Sequence, residues 1–368
     1  MPDPRKIANP KTVNQVLADR GIRHGVFLTR LAGGEANWIE EQLRPLRAEI
    51  MRQISPILTQ LESGEVLTEA DQRLIARAAD ETERVTREYL QEILPKARMR
   101  LAAIGVSEAD FEKRLFQRAM PIEWNFRTPP DDLIRSLVEN PAISGKHLET
   151  WFSDLSKSAR VFVNDQLEKG MLAGESVDDM VRRIRGTRKG SYKDGVLYTT
   201  TRHARQIVRS GVMKASNRAR QAFHQQNEDI IKGYEVVLTL DSRTCMQCVD
   251  MESQNPYELN NYPDTPFHVG CRCLVVAVTK SWQELGIDLE EMEPGTRAAM
   301  GGEVPDTMTY EDWFKRQSAA DQKDILGASR YELFKQGKPV TAFADRGQIL
   351  TLDQLRGMEP DLFDFSGN

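Results

Sequence analysis

Residues 234–278 read YEVVLTLDSRTCMQCVDMESQNPYELNNYPDTPFHVGCRCLVVAV, and the rest of the chain is organised around them. All the cysteines, Cys245, Cys248, Cys271 and Cys273, fall inside this stretch, with His268 just ahead of the second pair. Two apolar, β-branched runs, 235–240 and 274–278, flank them without a proline or glycine, the pattern of two strands framing a long excursion. Cys-x2-Cys brings two thiolates to one turn, and His-x2-Cys-x-Cys offers three further donors about twenty residues later. Zinc takes four such ligands in a tetrahedron, so Cys245, Cys248, His268, Cys271 and Cys273 supply a set with one to spare. A structural zinc is the expectation. Reduced thiols packed without metal, and disulfides in any of the three possible connectivities, are the competing readings.

At 368 residues the chain is long enough for two or three domains. The formal net charge of −5 argues against a wholly basic nucleic-acid coat, but the charge is segregated. Between Arg182 and Arg220 there are 12 Lys or Arg against a single acid, Asp194, whereas residues 281–368 carry 17 acids against 9 bases. One region is therefore suited to a polyanion and another repels it. The first residues, MPDPRKIANPKTVNQ, lack the apolar core of a signal peptide, and no run approaches the roughly 18 apolar residues of a membrane span. The expected setting is a reducing cytoplasm, with no membrane contact.

Residues 1–20 are polar and read as loosely held. Ile39, Leu43, Leu46, Ile50, Ile54, Ile57 and Leu61 recur every three or four positions and predict an amphipathic helix over 35–61, kinked by Pro45 and Pro56. Thr68, with Asp71 three residues on, caps a second helix expected to end at Gly105, and Ser107 a third over 108–120. Residues 121–130 read as a linker. Helices follow over 131–139, 147–170 and 177–184, the last capped by Ser176. After a polar turn at 186–195 a basic helix is expected over 199–226.

That helix carries Arg202, Arg205, Arg209, Lys214, Arg218 and Arg220. The first three are spaced so as to share one face and follow a phosphate backbone. Arg182, Arg183, Arg185, Arg188 and Lys189 lie just upstream. Aromatics are sparse among them, which points to duplex backbone contact without sequence preference and away from stacking on unpaired bases. The competing reading is a solvated helix face. Past the cysteines, 281–300 is acidic, 301–305 reads as a turn, helices are expected from Tyr310 and over 321–334, and 348–355 reads as an extended piece entering a helical turn.

The order of basic helix, strand, Asp241-Ser242-Arg243-Thr244-Cys245-x2-Cys248, polar excursion, Pro266-Phe267-His268 and Cys271-Arg272-Cys273 resembles the head-morphogenesis domain of tailed bacteriophages, the Mu F-like minor head proteins. Lys169-Gly170 and Gly174-Glu175-Ser176 upstream, and 310–317 and 325–330 downstream, are similar to segments of the same family, so the resemblance spans roughly Leu148 to Leu355. It departs at Arg209-Ser210-Gly211, where the family has Arg-Thr-Glu, and at 266–271, where a Pro-His-Pro-x-Cys form is usual. The resemblance implies a virion component placed in few copies inside the head near the portal vertex. Its implied partners are the portal protein, the major capsid or scaffold protein and packaged double-stranded DNA, met first in the bacterial host cytoplasm.

The whole is expected to be mainly α with a small α+β zinc-knuckle-like module. Long N-terminal helices form an assembly region over 1–130. A head-morphogenesis domain over 131–279 packs the central basic helix beside a short β-hairpin bearing the Cys/His cluster, and an acidic region covers 280–368. Removing residues 1–120 is expected to leave a soluble core. The enzymatic alternative, a zinc-supported nuclease or other phosphoryl-transfer enzyme, needs a general base and a metal-bound water beside the phosphate. His268 serves better as a ligand than as a base. Asp241 and Asp250 beside the first knuckle fit caps better than a magnesium site, and no Walker-type loop, nucleophile elbow or His-Glu-x2-His occurs. The expectation is a structural part and not an enzyme.

Overall fold

The computed structural model describes residues 12–61, 68–288, 296–299, 302–305, 308–345 and 348–358. Helices run in chain order over Val13–Leu43 (α1), Leu46–Leu58 (α2), Glu69–Ala119 (α3), Asp131–Val138 (α4), Leu148–Leu172 (α5), Val177–Arg185 (α6) and Val196–Gln226 (α7). Next come β1 (Ile231–Val237), α8 (Met246–Ser253), β2 (Tyr257–Glu258) and β3 (Leu274–Thr279). The remainder holds β4 (Thr296–Ala299), β5 (Gly302–Pro305), α9 (Tyr310–Lys315), α10 (Ala319–Leu326), α11 (Ala328–Lys335), β6 (Ala344–Asp345), β7 (Gln348–Ile349) and α12 (Leu352–Met358). The chain is mainly helical with a small α+β module, as its periodicities indicate.

Several boundaries differ from expectation. α1 begins at Val13, where a loose segment was expected, because Val13 and Leu17 are buried in a core whose other members lie far along the chain. The expected helix over 35–61 is two helices, separated at Arg44–Pro45, with Pro56 tolerated inside α2. Thr68 and Asp71 cap α3 reciprocally, each backbone N–H donating to the other side chain at 3.1 Å. α3 then runs without interruption through Gly105 and Ser107. A glycine inside a helix costs only about 1 kcal/mol, and the buried stripe of Leu101, Ala102, Ala109, Leu115 and Phe116 outweighs it. Residues 302–305, expected as a turn, pair with β4 as a hairpin. Gly327, at φ +75°, separates α10 from α11.

The described chain divides into two compact units, each assembled from separated segments. The expected boundaries near 130 and 279 are changes of sequence pattern, whereas α1, α3 and α7 each give residues to both units. Among the described residues, the named elements of the second unit, Arg30–Ile104 with Arg135–Ala215, are all helices. Its core joins Ile39, Leu43 and Ile50 to Leu90, Leu101, Phe152, Val163, Ile184 and Val208.

The first unit, Met1–Thr29, Gly105–Ile134 and Ser216–Asn368, holds a three-stranded antiparallel sheet in the order β2-β1-β3. Val237 pairs with Leu274 and Ile231 with Thr279, with a bulge at Ile231/Gly233. β3 alternates faces: Val275 and Ala277 enter the core, and Leu274 and Val276 meet α1. α1 has glycine at both crossings, Gly21 against Val276 and Gly25 against Leu274. Asn14 completes this edge, its Oδ1 accepting the Thr279 backbone N–H at 2.8 Å from 265 residues away.

Beneath the same helices lies a buried charge network. Arg220 of α7, 1% exposed, stands between Glu108 (3.4 Å) and Glu112 (3.2 Å) of α3. His24 and Ser216 also bond Glu108, and His224 faces Glu112 at 3.4 Å. Residues 1–120 therefore contribute Val13, Leu17, Glu108, Glu112 and Phe116 to the interior of the unit that holds the cysteines, and deleting them removes part of its core. That overturns the expectation of a soluble remainder.

Candidate metal centre and basic face

β1 and β3 frame the cysteine stretch as the sequence indicates, and the excursion between them is built so that its donors converge. Asp241 opens the first loop by accepting the Arg243 backbone N–H at 2.9 Å, and its backbone carbonyl accepts the Thr244 N–H at 3.2 Å. Cys245 is the N-cap of α8 and Cys248 sits one turn in, its N–H donating to the Cys245 carbonyl at 3.0 Å. The second knuckle is a turn closed by the Cys271 N–H on the His268 carbonyl at 3.1 Å. Gly270 holds φ +85° at its third position, a conformation that a side chain would strain. Asn217 of α7 anchors the excursion, its Nδ2 donating to the carbonyls of Pro263 and Thr265 at 3.3 and 3.1 Å.

Cys245 Sγ lies 3.5 Å from Cys248 Sγ and 3.1 Å from His268 Nε2. Cys248 Sγ lies 3.3 Å from the same nitrogen and 3.7 Å from Cys271 Sγ. Zinc–sulfur bonds of about 2.3 Å and zinc–nitrogen bonds of about 2.0 Å give tetrahedral edges of about 3.8 Å between sulfurs and about 3.5 Å between sulfur and nitrogen. The edges among Cys245, Cys248 and His268 fall close to these, so that triad fits three corners of a tetrahedral metal site, with Cys271 adjoining it at 3.7 Å from Cys248. Two triads have all donors within 4.8 Å of one another, Cys245/Cys248/His268 and Cys248/Cys271/Cys273, and both contain Cys248. All four cysteines are free thiols, which removes the disulfide reading for this structure. His268 turns Nδ1 to the Val269 carbonyl at 3.0 Å, which leaves Nε2 for the cluster, the arrangement usual for a metal-bound imidazole.

Without metal the cluster shares its protons unevenly. The contact from Cys248, helped by His268, draws the Cys245 thiol down to about 4, and Cys245 in turn raises His268 to about 9. Cys248 and Cys273 hold Cys271 down at about 2. Cys248 is pushed far up by Cys245, Cys271 and Cys273. Cys273 also rises, since Cys271 and burial outweigh the lowering contact from Cys248. Donors gathered in these two triads could hold a metal ion.

Arg272, between the two C-terminal cysteines, pairs with Asp241. Burial alone would raise the Asp241 carboxyl, but Arg272 outweighs it and holds the group below its ordinary value. In the sequence the clamp is marked only by the arginine of Cys271-Arg272-Cys273, whose sulfurs carry the stronger signal. With Asp241 committed to Arg272, the described residues that gather as metal donors are those two cysteine-rich triads.

The basic residues separate into three groups. Arg185, Arg188, Lys189, Arg202 and Arg209 are exposed and form no ion pair among the described residues. Asp194, the single acid of the run, bonds the Thr187 N–H and hydroxyl at 2.8 and 2.7 Å, which leaves Arg188 and Lys189 uncompensated. Arg182, Arg183, Arg205 and Arg218 are paired with Asp179, Glu175, Glu40 and Asp264. Lys214 is 2% exposed, so its ammonium cannot meet a duplex and it leaves the expected phosphate-contacting set. Arg220, which added to the charge of the same helix, is spent inside the network described above.

Residues 162–276 match the model of a protein family described as Phage Mu protein F like protein. The matched segment takes in α6, α7, β1 and the cysteine cluster, in agreement with the resemblance read from the cysteine spacing. No curated protein and no solved structure matches the chain.

Proposed function

We propose that this chain, similar over 162–276 to Mu F-like phage proteins, is a minor structural protein of a tailed-phage head and acts in head morphogenesis. The observation that carries the proposal is the coincidence of the family match with the clasp of Cys245, Cys248, His268 and Cys271 beside α7. A zinc there would be held by Cys245, Cys248 and His268, with Cys271 or Cys273, the partners of Cys248 in the second triad, closing the set. It would supply rigidity and no reaction, because a thiolate-rich set fills every coordination position. The exposed residues Arg185, Arg188, Lys189, Arg202 and Arg209 suit the backbone of packaged duplex DNA. The remaining surface of the long helices and the acidic C-terminal region is assigned to the portal and to capsid or scaffold protein, inside the head near the portal vertex.

The test is a phage whose gene for this chain is disrupted and complemented. Quantitative mass spectrometry of purified particles should find a few copies per virion with the wild-type gene, cross-linked to portal protein. Heads that assemble, package DNA and infect normally without the chain would remove the proposal. Metal analysis should return one zinc per chain.

A further inference from the structure

A cavity of about 300 Å³, lined by none of the metal-donor residues, opens between α1 and α3 in the first unit. Its rim carries Arg20 and Arg23 from α1 and Arg114 and Arg118 from α3. On each helix the two arginines are spaced to project from one face, so four guanidinium groups converge on one opening. Arg23 pairs with Asp19 at 3.2 Å. Arg20, Arg114 and Arg118 form no ion pair among the described residues, in a chain whose net charge is negative. Of the buried acids nearby, Asp19 is paired with Arg23, and Glu108 and Glu112 are committed to Arg220 and the histidines. Gathering like charges costs free energy that an anionic ligand would offset.

The wall is aromatic. The His24 ring stacks on Phe111 with centroids 3.5 Å apart and planes 9° from parallel, and on Phe27 at 5.3 Å and 25°. Buried Glu108 bonds His24 Nε2 and so fixes the ring. Phe27 ends the stack and is 55% exposed. Cations for a phosphate beside a flat apolar face for a ring are the two halves of nucleotide recognition.

We propose that this cavity binds an unpaired nucleotide, with its phosphate held by Arg20, Arg114 and Arg118 and its base stacked on Phe27. The site is separate from the basic face on α6 and α7 and has different chemistry. That face offers a stripe of cations for a duplex, whereas this cavity is concave and aromatic and admits one nucleotide. The nucleotide is either free or part of a single strand, including a strand end.

The test uses the full chain and isothermal titration with ATP, inorganic pyrophosphate, and a thymidine decamer with and without a 5′ phosphate. Arg20→Ala with Arg118→Ala should weaken every one of these that binds by at least about tenfold. Phe27→Ala should weaken ATP and the decamer by about tenfold and leave pyrophosphate unchanged. Binding of ATP assigns the site to free nucleotides, and binding of the decamer alone assigns it to a strand. Arg20→Lys with Arg118→Lys, which keeps the charge, should restore part of the affinity and guards against a folding artefact. Arg202→Ala with Arg209→Ala should have no effect on ATP. No binding by any of the nucleotide probes, equal binding by the double arginine variant, or capture of a poly-glutamate peptide in preference to nucleotide overturns the proposal.

Discussion

Arg272 grips Asp241 across 31 residues with two parallel hydrogen bonds, Nη1 to Oδ2 and Nη2 to Oδ1, each 2.7 Å long. The pair ties the second knuckle to the loop that leads into the first, so the two cysteine pairs are held in register by protein atoms as well as by any metal. The side chains are 21% and 7% exposed. Breaking such a pair strands a buried carboxylate, and Arg272→Ala should lower unfolding stability by about 3 kcal/mol. Arg272→Lys should recover only part of this, because an ammonium lacks the planar fork. Denaturant unfolding of the two variants measures the difference, and equal stabilities would contradict the assignment.

Cys248 belongs to both triads, so its loss should abolish metal whichever fourth ligand is used. Cys248→Ser is expected to purify with essentially no zinc. Cys273→Ala should retain at least half of the wild-type content, since Cys271, 3.7 Å from Cys248, remains as a fourth donor. Elemental analysis of the two proteins decides it, and loss of metal in both would move Cys273 into the ligand set.

Glu108 should make the first unit acid-sensitive. Burial works to raise its carboxyl, but Arg220 and then His24 outweigh it and hold the group below its ordinary 4.5. A depressed carboxyl contributes stability that is present above 4.5 and lost as the pH falls through its folded value. Unfolding measured from about pH 6 to about pH 3 should therefore show a steep loss that is much shallower in Glu108→Gln. Arg220→Ala, which removes the guanidinium between Glu108 and Glu112, should cost about 3–5 kcal/mol near neutral pH.

Two glycines facing the sheet should behave oppositely on substitution. A Cβ at Gly233 would stand 2.5 Å from the Tyr257 backbone oxygen, which cannot yield without breaking the β1–β2 pairing. Gly233→Ala is expected to destabilise by about 2 kcal/mol. A Cβ at Gly25 meets only the end of the Leu274 side chain, which can rotate, and alanine is the better helix former. Gly25→Ala should stay within about 1 kcal/mol of wild type in thermal unfolding.

Removal of Arg202 and Arg209 should weaken long duplex DNA binding without sequence preference and reduce the slope of log affinity against log salt by about 2. Lys214→Ala should leave that slope intact and lower stability instead, because the side chain is buried. Filter binding over a salt series separates the two, and a slope insensitive to Arg202 and Arg209 would place the phosphate contacts elsewhere.

What the sequence discloses here is local. Periodic stripes such as 39–61 predict helices because burial at every third or fourth position is a property of consecutive residues. The Thr68, Ser176 and Thr309 caps are equally short-range. The cysteine spacing discloses the cluster for the same reason. What stays hidden depends on partners far along the chain. The start of α1 at Val13 is explained by a core drawn from α3, α7 and β3, the unbroken course of α3 by a core that tolerates Gly105, and the burial of Lys214 and Arg220 by what covers α7. A basic residue on a helix looks the same in sequence whether it meets solvent or a buried glutamate, so the Arg220 network and the Arg272 clamp were legible only as charge.

The bond from Asn14 to Thr279 has a consequence for how the protein is made. Translation delivers the first of these residues long before the second, so Val13, Leu17, Gly21 and Gly25 leave the ribosome with no strand to lie on. The Val13 and Leu17 side chains must wait, solvated or shielded by a chaperone, until β3 has emerged, and closure of so wide a loop is intrinsically slow. Nascent chains stalled before residue 274 should accordingly be prone to aggregate, and releasing them a few residues later should mark the onset of protease resistance in the N-terminal segment.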